Sequence, residues 1–284
     1  MRYVSKIIIL DAGCGMKTPG RHCIKEIDSS ETREWFLNNR ILDKVEQILT
    51  VEYDCKVLRV GDLSGARQIS VRKKIKAANL VKGDAYILLR HGKKEKKGQE
   101  SYGTKVTCFS PEETERAKSL FEEIIIRTEL TGAKDPVKLY GENTKGGKGN
   151  VKFCVKHRFY KQATMPVYLV ENGYMDHPKE IPIILKESHA RKTARGIVAF
   201  LEKEFGVMKK SKSDPVYDTS NFYYPKYTGR NINIAAALSS LGISANFKAV
   251  RKIAAANGIS YYVGSYEQNV QLYNLLRAGI LKMS

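Results

Sequence analysis

An acidic, glycine-flanked turn that carries a thiol follows the first apolar segment of the chain. Residues 7–10 are all isoleucine or leucine, and Asp11-Ala12-Gly13-Cys14-Gly15 comes directly after them. An apolar run of this length indicates a buried strand, and the glycines allow the backbone to turn sharply at its carboxyl end. Active sites of open α/β sheets lie at that end of the strands. Cys14 is therefore a candidate metal ligand or nucleophile, with a small buried apolar residue as the alternative.

The elements that must position this turn alternate along residues 1–206. Short apolar runs are separated by segments whose apolar residues recur with the period of a helix. This alternation predicts an α/β fold, with a mixed or mostly parallel sheet covered by helices on both faces. The predicted strands cover residues 7–10, 55–60, 85–89 and 167–170, and the predicted helices cover residues 32–49, 69–80, 111–131 and 189–205.

The composition changes at residues 207–220. This stretch is polar and lysine-rich and contains Pro215, which is typical of a linker. Residues 221–284 contain seven basic residues and one acid, with predicted short helices over residues 232–241, 247–257 and 269–276. We therefore expect a large domain over residues 1–206, a linker over 207–220 and a small, mainly helical domain over 221–284.

The charge of the chain favours polyanionic partners. The formal net charge is +19, from 49 Lys and Arg against 30 Asp and Glu. Nucleic acids and anionic cell-wall polymers both satisfy this charge, but zinc-finger, RNP-like and P-loop motifs are missing, which disfavours nucleic acid. No apolar run reaches the roughly 18 residues of a membrane span. The first residues lack the apolar region of a signal peptide, so we expect synthesis in the cytoplasm.

Five motifs occur in order across residues 5–206. They are Asp11-Ala12-Gly13-Cys14-Gly15, Thr18-Pro19-Gly20, Arg33-Glu34-Trp35 with Asn38, Gly83-Asp84-Ala85-Tyr86-Ile87, and a final stretch from Met165 to Asp176 that contains Val170-Glu171-Asn172-Gly173-Tyr174. Their order and spacing resemble the zinc N-acetylmuramoyl-L-alanine amidases of bacterial cell-wall hydrolases and phage endolysins. The resemblance implies a peptidoglycan substrate and hydrolysis of the amide bond between N-acetylmuramic acid and L-alanine.

The resemblance also implies roles for individual residues. In that family zinc is held by a His after the first strand, a Glu before the first helix and a His after a later strand, and a second Glu is the general base. Zinc polarises the amide carbonyl and lowers the pKa of its bound water. The motifs assign the acidic ligand to Glu34 and the general base to Glu171. Cys14 stands at the first His position and Arg90 at the second, with His91 one place further.

Arg90 changes the expectation most, because a guanidinium stays protonated and does not bind zinc. One prediction is that Arg90 occupies the place of the metal and pairs with Glu34 and Glu171. The protein would then bind peptidoglycan with impaired or lost hydrolysis and without a cofactor. The alternative is an active amidase whose zinc is held by Cys14, Glu34 and His91, which requires a β-bulge that turns His91 inward.

The C-terminal segment resembles the small cell-wall-binding domain of endolysins from Bacillus-type phages. The resemblance rests on Tyr224-Pro225-Lys226-Tyr227-Thr228-Gly229, on Ala236-Ala237-Leu238-Ser239-Ser240-Leu241-Gly242-Ile243 and on Arg251-Lys252-Ile253-Ala254-Ala255-Ala256-Asn257-Gly258-Ile259. It implies anchoring to peptidoglycan and anionic wall polymers after release from the cell, by phage lysis or non-classical export. Tyrosines can stack on sugars and basic groups can pair with anions. The candidate contacts are Tyr224, Tyr227, Arg251 and Lys252, although tyrosines of this segment such as Tyr227, Tyr261, Tyr262 and Tyr273 are also expected in a small core.

Overall fold

A computed structural model of the chain describes residues 5–93, 102–140, 158–210, 223–259 and 261–284. Residues 211–220 of the predicted linker lie outside the described residues. Among those described, six strands form one mixed sheet in the order β2-β1-β3-β6-β4-β5. The strands are β1 (Lys6–Asp11), β2 (Cys55–Val60), β3 (Ala85–Gly92), β4 (Thr104–Cys108), β5 (Gly132–Leu139) and β6 (Val167–Tyr174).

Strands β2, β1, β3 and β6 run parallel, so their carboxyl ends meet at one edge of the sheet. Strand β4 is antiparallel to β6 and parallel to β5. The central strands are apolar on both faces, and Ile8, Ile9 and Leu10 of β1 are fully buried. Continuous apolar runs are expected for parallel strands that helices cover on both sides.

Helices cover both faces of this sheet. The first face packs against α1, α3 and α5. The second face shares one hydrophobic core with α2 and the three C-terminal helices, of which α8 packs on β2. The α/β fold class predicted from the sequence is therefore confirmed. The helices are α1 (Glu34–Glu52), α2 (Val71–Leu80), α3 (Thr114–Ile125), α4 (Ile181–Ile184), α5 (Glu187–Phe205), α6 (Ile234–Ser240), α7 (Phe247–Ala256) and α8 (Tyr266–Ala278).

The C-terminal helices share a hydrophobic core with the second face of the sheet. One continuous cluster joins Leu58 and Val60 of β2 to Leu272 and Leu276 of α8. Polar contacts accompany this packing, since the Asn274 side chain donates to the Gly61 carbonyl at 2.9 Å. The Tyr266 hydroxyl also bonds to the Asp62 carboxylate. The segment therefore contributes to the layer that covers β2.

The sheet is larger than the apolar runs alone predicted. Strands β4 and β5 were not expected, and β3 and β6 continue past residues 89 and 170 to Gly92 and Tyr174. The helix expected over residues 111–131 consists of a 3-10 turn over Pro111–Glu113 followed by α3, which ends at Ile125. Among the helices described, none is both long enough and apolar enough to cross a membrane.

Candidate functional site

Glu34 is the first residue of α1, and its side chain is fully buried beside the carboxyl ends of β1 and β3. Arg33 adopts an extended backbone before the helix, and the Glu34 amide donates to the Arg21 carbonyl at 3.0 Å. An acidic side chain in the first turn interacts favourably with the positive end of the helix dipole. A carboxylate buried at this depth still requires specific partners.

Four donors surround the Glu34 carboxylate. The Cys14 thiol donates to Oε2 at 2.9 Å, and Nε of Arg21 donates to the same oxygen at 2.5 Å. Nε of Arg90 donates to Oε1 at 2.8 Å, and the His91 backbone amide donates to it at 3.0 Å. Both carboxylate oxygens therefore have two donors each, one of them a guanidinium.

These contacts fix the charge states at the site. Burial opposes ionisation of Glu34, but the charges of Arg90 and Arg21 outweigh it and hold the pKa of the carboxyl well below its usual range. Burial and the adjacent Glu34 charge raise the pKa of the Cys14 thiol to about 12. At neutral pH the site therefore contains a carboxylate, two guanidinium groups and a protonated thiol.

The turn that carries Cys14 is shaped to admit Arg90. Gly13 has a φ of 74°, and a Cβ atom at this position would lie 2.6 Å from Cδ of Arg90. Any other residue would therefore be strained and would also collide with the arginine. Gln68 supports the turn from the loop after β2, because its side-chain oxygen accepts from the Gly15 amide at 2.7 Å and its Nε2 donates to the Gly13 carbonyl at 3.2 Å.

A row of charged side chains extends from Arg90 across the sheet. Arg90 and Glu171 are register partners on β3 and β6, and Glu171 and Lys105 are register partners on β6 and β4. The Lys105 ammonium forms an ion pair with the Glu171 carboxylate. Each of the two carboxylates, Glu34 and Glu171, therefore has a cationic partner from this chain.

His91 lies next to Arg90 in sequence, but its ring contacts a different group. The ring is fully buried, and Nδ1 lies 2.8 Å from the Asn38 side-chain oxygen. Nε2 has no hydrogen-bond partner among the described residues. The register irregularity between Arg90 and Gly92 adds its extra residue to β6, since Arg90 pairs with Glu171 and Gly92 with Tyr174. Within the described residues, no three His, Cys, Asp or Glu side chains form a group that could hold a metal.

The structure thus brings together Cys14, Glu34 and Arg90, and it aligns Glu171 with Arg90 across the sheet. Sequence reasoning missed Arg21 and Lys105. Arg21 lies on an irregular loop, where no periodicity marks a residue as inward-facing. Lys105 lies on β4, a strand that the sequence analysis did not predict. Its register with Glu171 could therefore not be predicted either.

The predicted wall-binding residues differ in exposure. Arg251 and Lys252 are exposed on α7, and Tyr224 is half-buried. The Tyr227 ring is buried and lies edge-on to Tyr273, at 6.2 Å between ring centres. Its hydroxyl accepts from the Asn231 amide at 3.0 Å, so this ring is part of the core.

Comparisons with known proteins identify the family of the chain. The Amidase_3 family profile, described as N-acetylmuramoyl-L-alanine amidase, matches residues 8–203. The chain is 26 % identical over 211 residues to an endolysin of Bacillus phage SPP1, with 73 % of this chain and 69 % of the endolysin covered.

Two solved amidases share the fold. The catalytic domain of CwlV from Bacillus (Paenibacillus) polymyxa var. colistinus superposes with a TM-score of 0.57 at 23 % identity, covering 71 % of this chain and 99 % of that domain. An amidase from Clostridium difficile 630 gives a TM-score of 0.57 at 19 % identity, covering 71 % of this chain and 97 % of the other. The family profile spans more than half of the sequence, from β1 through most of α5, and the chain belongs to the N-acetylmuramoyl-L-alanine amidase family.

Proposed function

We propose that this protein binds the peptidoglycan of Gram-positive cell walls through an amidase fold and does not hydrolyse the N-acetylmuramoyl-L-alanine bond by zinc chemistry. The observation that carries the proposal is the environment of Glu34, whose oxygens accept from two guanidinium groups, a thiol and a backbone amide. In this proposal Arg90 and Arg21 neutralise the carboxylate that a metal would otherwise neutralise.

The donor set around Glu34 does not fit a zinc ion. Zinc binds deprotonated cysteine, neutral histidine and carboxylate, whereas the Cys14 thiol donates its hydrogen to Oε2 of Glu34. Arg90 has no lone pair to offer a metal. The His91 ring is directed to Asn38, and the Glu34 oxygens are already engaged by four donors. Binding zinc here would require these contacts to break and Arg90 to leave.

Glu171 also has a partner that opposes a role in proton transfer. Its carboxylate pairs with Lys105 and lies beside Arg90 in the sheet register. A general base must reach the proton that it abstracts, and Oε2 of Glu171 is already paired with the Lys105 ammonium. In the proposed function, Glu171 and Lys105 instead offer hydrogen-bond acceptors and donors to a bound glycan-peptide.

The C-terminal segment supports wall attachment through its charge. Residues 221–284 contain seven Lys or Arg and one acid, so the segment attracts anionic wall polymers. We further propose that the protein reaches the wall after release from the cell, as expected for a relative of a phage endolysin.

Metal analysis, a clearing assay and a sedimentation assay on Gram-positive walls test the proposal together. We expect the purified protein to contain far less than one zinc per chain, to leave wall turbidity unchanged and to sediment with the walls. Stoichiometric zinc together with clearing would instead establish an active amidase with a rearranged site at Cys14, Glu34 and His91. A protein that neither clears nor sediments with walls would refute wall binding.

A double variant supplies a sharper comparison. Cys14→His with Arg90→His places imidazoles at both positions where the family resemblance expects histidine ligands. We expect the double variant to retain zinc through purification, measured by metal analysis against the unmodified chain. Cys14→His alone is the matched control, because Arg90 still donates to Oε1 of Glu34. This single variant should remain low in zinc. Equal zinc content in both variants would show that Arg90 does not exclude the metal.

A further inference from the structure

Three apolar side chains of the C-terminal segment are exposed, on two stretches of chain that pack together through Phe247 and Tyr262. Phe247, Tyr261 and Val263 are 57 %, 91 % and 71 % exposed. The Phe247 ring lies 5.6 Å from the ring of Tyr262, measured between ring centres. Tyr262 is buried, and its sequence neighbours Tyr261 and Val263 are exposed. We refer to Phe247, Tyr261 and Val263 as the aromatic patch. Large apolar side chains exposed on neighbouring stretches are candidates for an interaction site.

Folding does not account for the placement of Tyr261. Its φ is 57°, in the left-handed region that bulky side chains disfavour, and its ring is left almost entirely in water. Gln268 of α8 holds the segment in this shape, because its side chain accepts from the Val263 amide at 2.9 Å and donates to the Tyr261 carbonyl at 3.1 Å. Strained residues that the surrounding structure holds in place cluster at functional sites.

A basic helix face adjoins the aromatic patch. Lys248, Arg251 and Lys252 of α7 are exposed, and Arg251 lies one helical turn after Phe247, on the same side of the helix. Residues 221–284 contain a single acid, Glu267. Its Oε1 lies 3.5 Å from Nζ of Lys73 on α2, so it forms an ion pair outside the C-terminal segment. Positive charge therefore predominates beside the exposed rings.

We propose that the aromatic patch and the basic face of α7 bind one ligand class, a wall glycopolymer that carries both sugar rings and phosphate groups. A pyranose can place its C–H face on Tyr261 and Phe247, while Arg251 and the neighbouring lysines pair with phosphate. The proposal rests on the proposed wall-binding function and adds the surface responsible for it. It assigns recognition to exposed rings, since Tyr227 is buried in the core.

Binding of the full chain to purified Gram-positive walls tests this assignment. The walls are used intact and after hydrofluoric acid treatment, which removes phosphate-linked polymers. Tyr261→Gly removes the ring and relieves the backbone strain, so this variant should fold and bind intact walls roughly tenfold more weakly. Tyr261→Phe keeps the ring and should bind like the unmodified chain. Arg251→Ala with Lys252→Ala should weaken binding by a similar factor.

Matched controls separate the surface from general effects of exposure and charge. Ile126→Ala removes an apolar side chain that is 71 % exposed, the same fraction as Val263. Ile126 lies at the end of α3, on the opposite face of the sheet from the C-terminal helices. Lys25→Ala removes an exposed lysine from the loop before α1. Both controls should bind intact walls with unchanged affinity.

The outcomes distinguish this inference from the proposed function. Strong binding to intact walls, lost on acid treatment and weakened by the patch variants, supports the inference. Unchanged binding by Tyr261→Gly and by the Arg251/Lys252 variant would overturn it while leaving wall binding in place. Full binding to acid-treated walls would overturn the phosphate polymer as ligand. Failure of the unmodified chain to bind any wall would refute the proposed function itself.

Discussion

At the scale of single residues, Glu34 is the centre of the site. A fully buried carboxylate is costly unless it is paired and hydrogen-bonded, and here Arg21, Arg90, Cys14 and the His91 amide provide both. The negative charge of Glu34 is therefore balanced by side chains of the same protein. Under the proposed function, this cluster stands in the place of a metal centre and offers a substrate no open coordination position.

The sequence allowed part of this cluster to be predicted. The resemblance to the amidase family implied that Cys14, Glu34 and Arg90 share one site. Arg21 could not be predicted, since the contact depends on how an irregular loop folds over α1. The direction of the His91 ring depends on the packing of Asn38 beneath the sheet, which no local pattern reveals.

Glu34→Gln should destabilise the fold strongly. The substitution leaves Arg90 and Arg21 without their buried counter-charge, and breaking a buried pair from one side typically costs about 3–5 kcal/mol. Urea denaturation of the unmodified chain and the variant measures the change in unfolding free energy. Glu187→Gln, which removes an exposed partner of Lys44, is the matched control and should cost less than about 1 kcal/mol. Similar losses in both variants would contradict a central role for the Glu34 cluster.

Stability should fall as the pH is lowered from about 6.5 to about 4. Burial lowers the pKa of His91 to about 3 and that of His189 to about 4. In this range the unfolded chain binds a proton at each histidine and the folded chain does not, so acid favours unfolding. Each histidine should contribute about 1.4 kcal/mol per pH unit.

Urea denaturation at several pH values measures this slope, and His189→Gln should remove about half of the histidine contribution. The low pKa of Glu34 adds its own loss only below its unfolded pKa near 4.5, because its stabilisation is fully present above that value. A flat stability profile between pH 6.5 and 5 would contradict neutral, buried histidines.

At the scale of elements, a bulge in β6 follows directly after the charged row. The register moves from Arg90 opposite Glu171 to Gly92 opposite Tyr174, so β6 contains one more residue than β3 over this interval. Gly173 takes up the extra residue with a φ of 85°. Such bulges redirect side chains beside active sites, and here the strand reaches Tyr174 without losing the pairing of Glu171 with Arg90.

Gly173→Ala should therefore cost about 1–3 kcal/mol of unfolding free energy. The backbone angle disfavours alanine, and its Cβ would lie 2.9 Å from Cγ2 of Ile184. Gly206→Ala is the matched control, since Gly206 has a φ of 63° but no atom within 4 Å of the added carbon. Chemical denaturation compares the two, and an equal or larger loss for Gly206→Ala would show that crowding at the bulge is unimportant.

Sequence patterns recovered the strands that are buried on both faces and missed the other two. Strands β1, β3 and β6 contain continuous apolar runs and β2 contains a mostly apolar one, which a simple pattern identifies. Strand β4 alternates buried and half-buried residues over a short segment. Strand β5 lies at the sheet edge and contains charges and Pro136, features that sequence reasoning associates with loops.

At the scale of the whole molecule, the C-terminal helices cover part of the sheet. The composition change at residues 207–220 predicts where a connection lies, but composition cannot show which surface the following helices contact. In the structure α8 packs on β2, and its Asn274 and Tyr266 side chains bond to the segment after that strand. The division into two domains stays a prediction that rests on the composition of the sequence.

A chain ending at residue 210 should be less stable than the full protein. Removing α6, α7 and α8 exposes apolar residues of β2 and α2 that now share a core with them. We expect a lower urea midpoint and increased binding of a hydrophobic dye, both measured against the full chain. An unchanged midpoint in the shortened chain would show that residues 1–210 form an independent folding unit.

The cluster around Glu34 has a consequence for how the protein matures. A site built on a metal ion is completed only when the cell supplies that ion, and it can be emptied again by a competitor with higher affinity. Arg90 and Arg21 are synthesised as part of the chain, so the charges that balance Glu34 are present as soon as the polypeptide folds. Under the proposed function, this amidase fold is assembled identically in zinc-rich and zinc-starved cells.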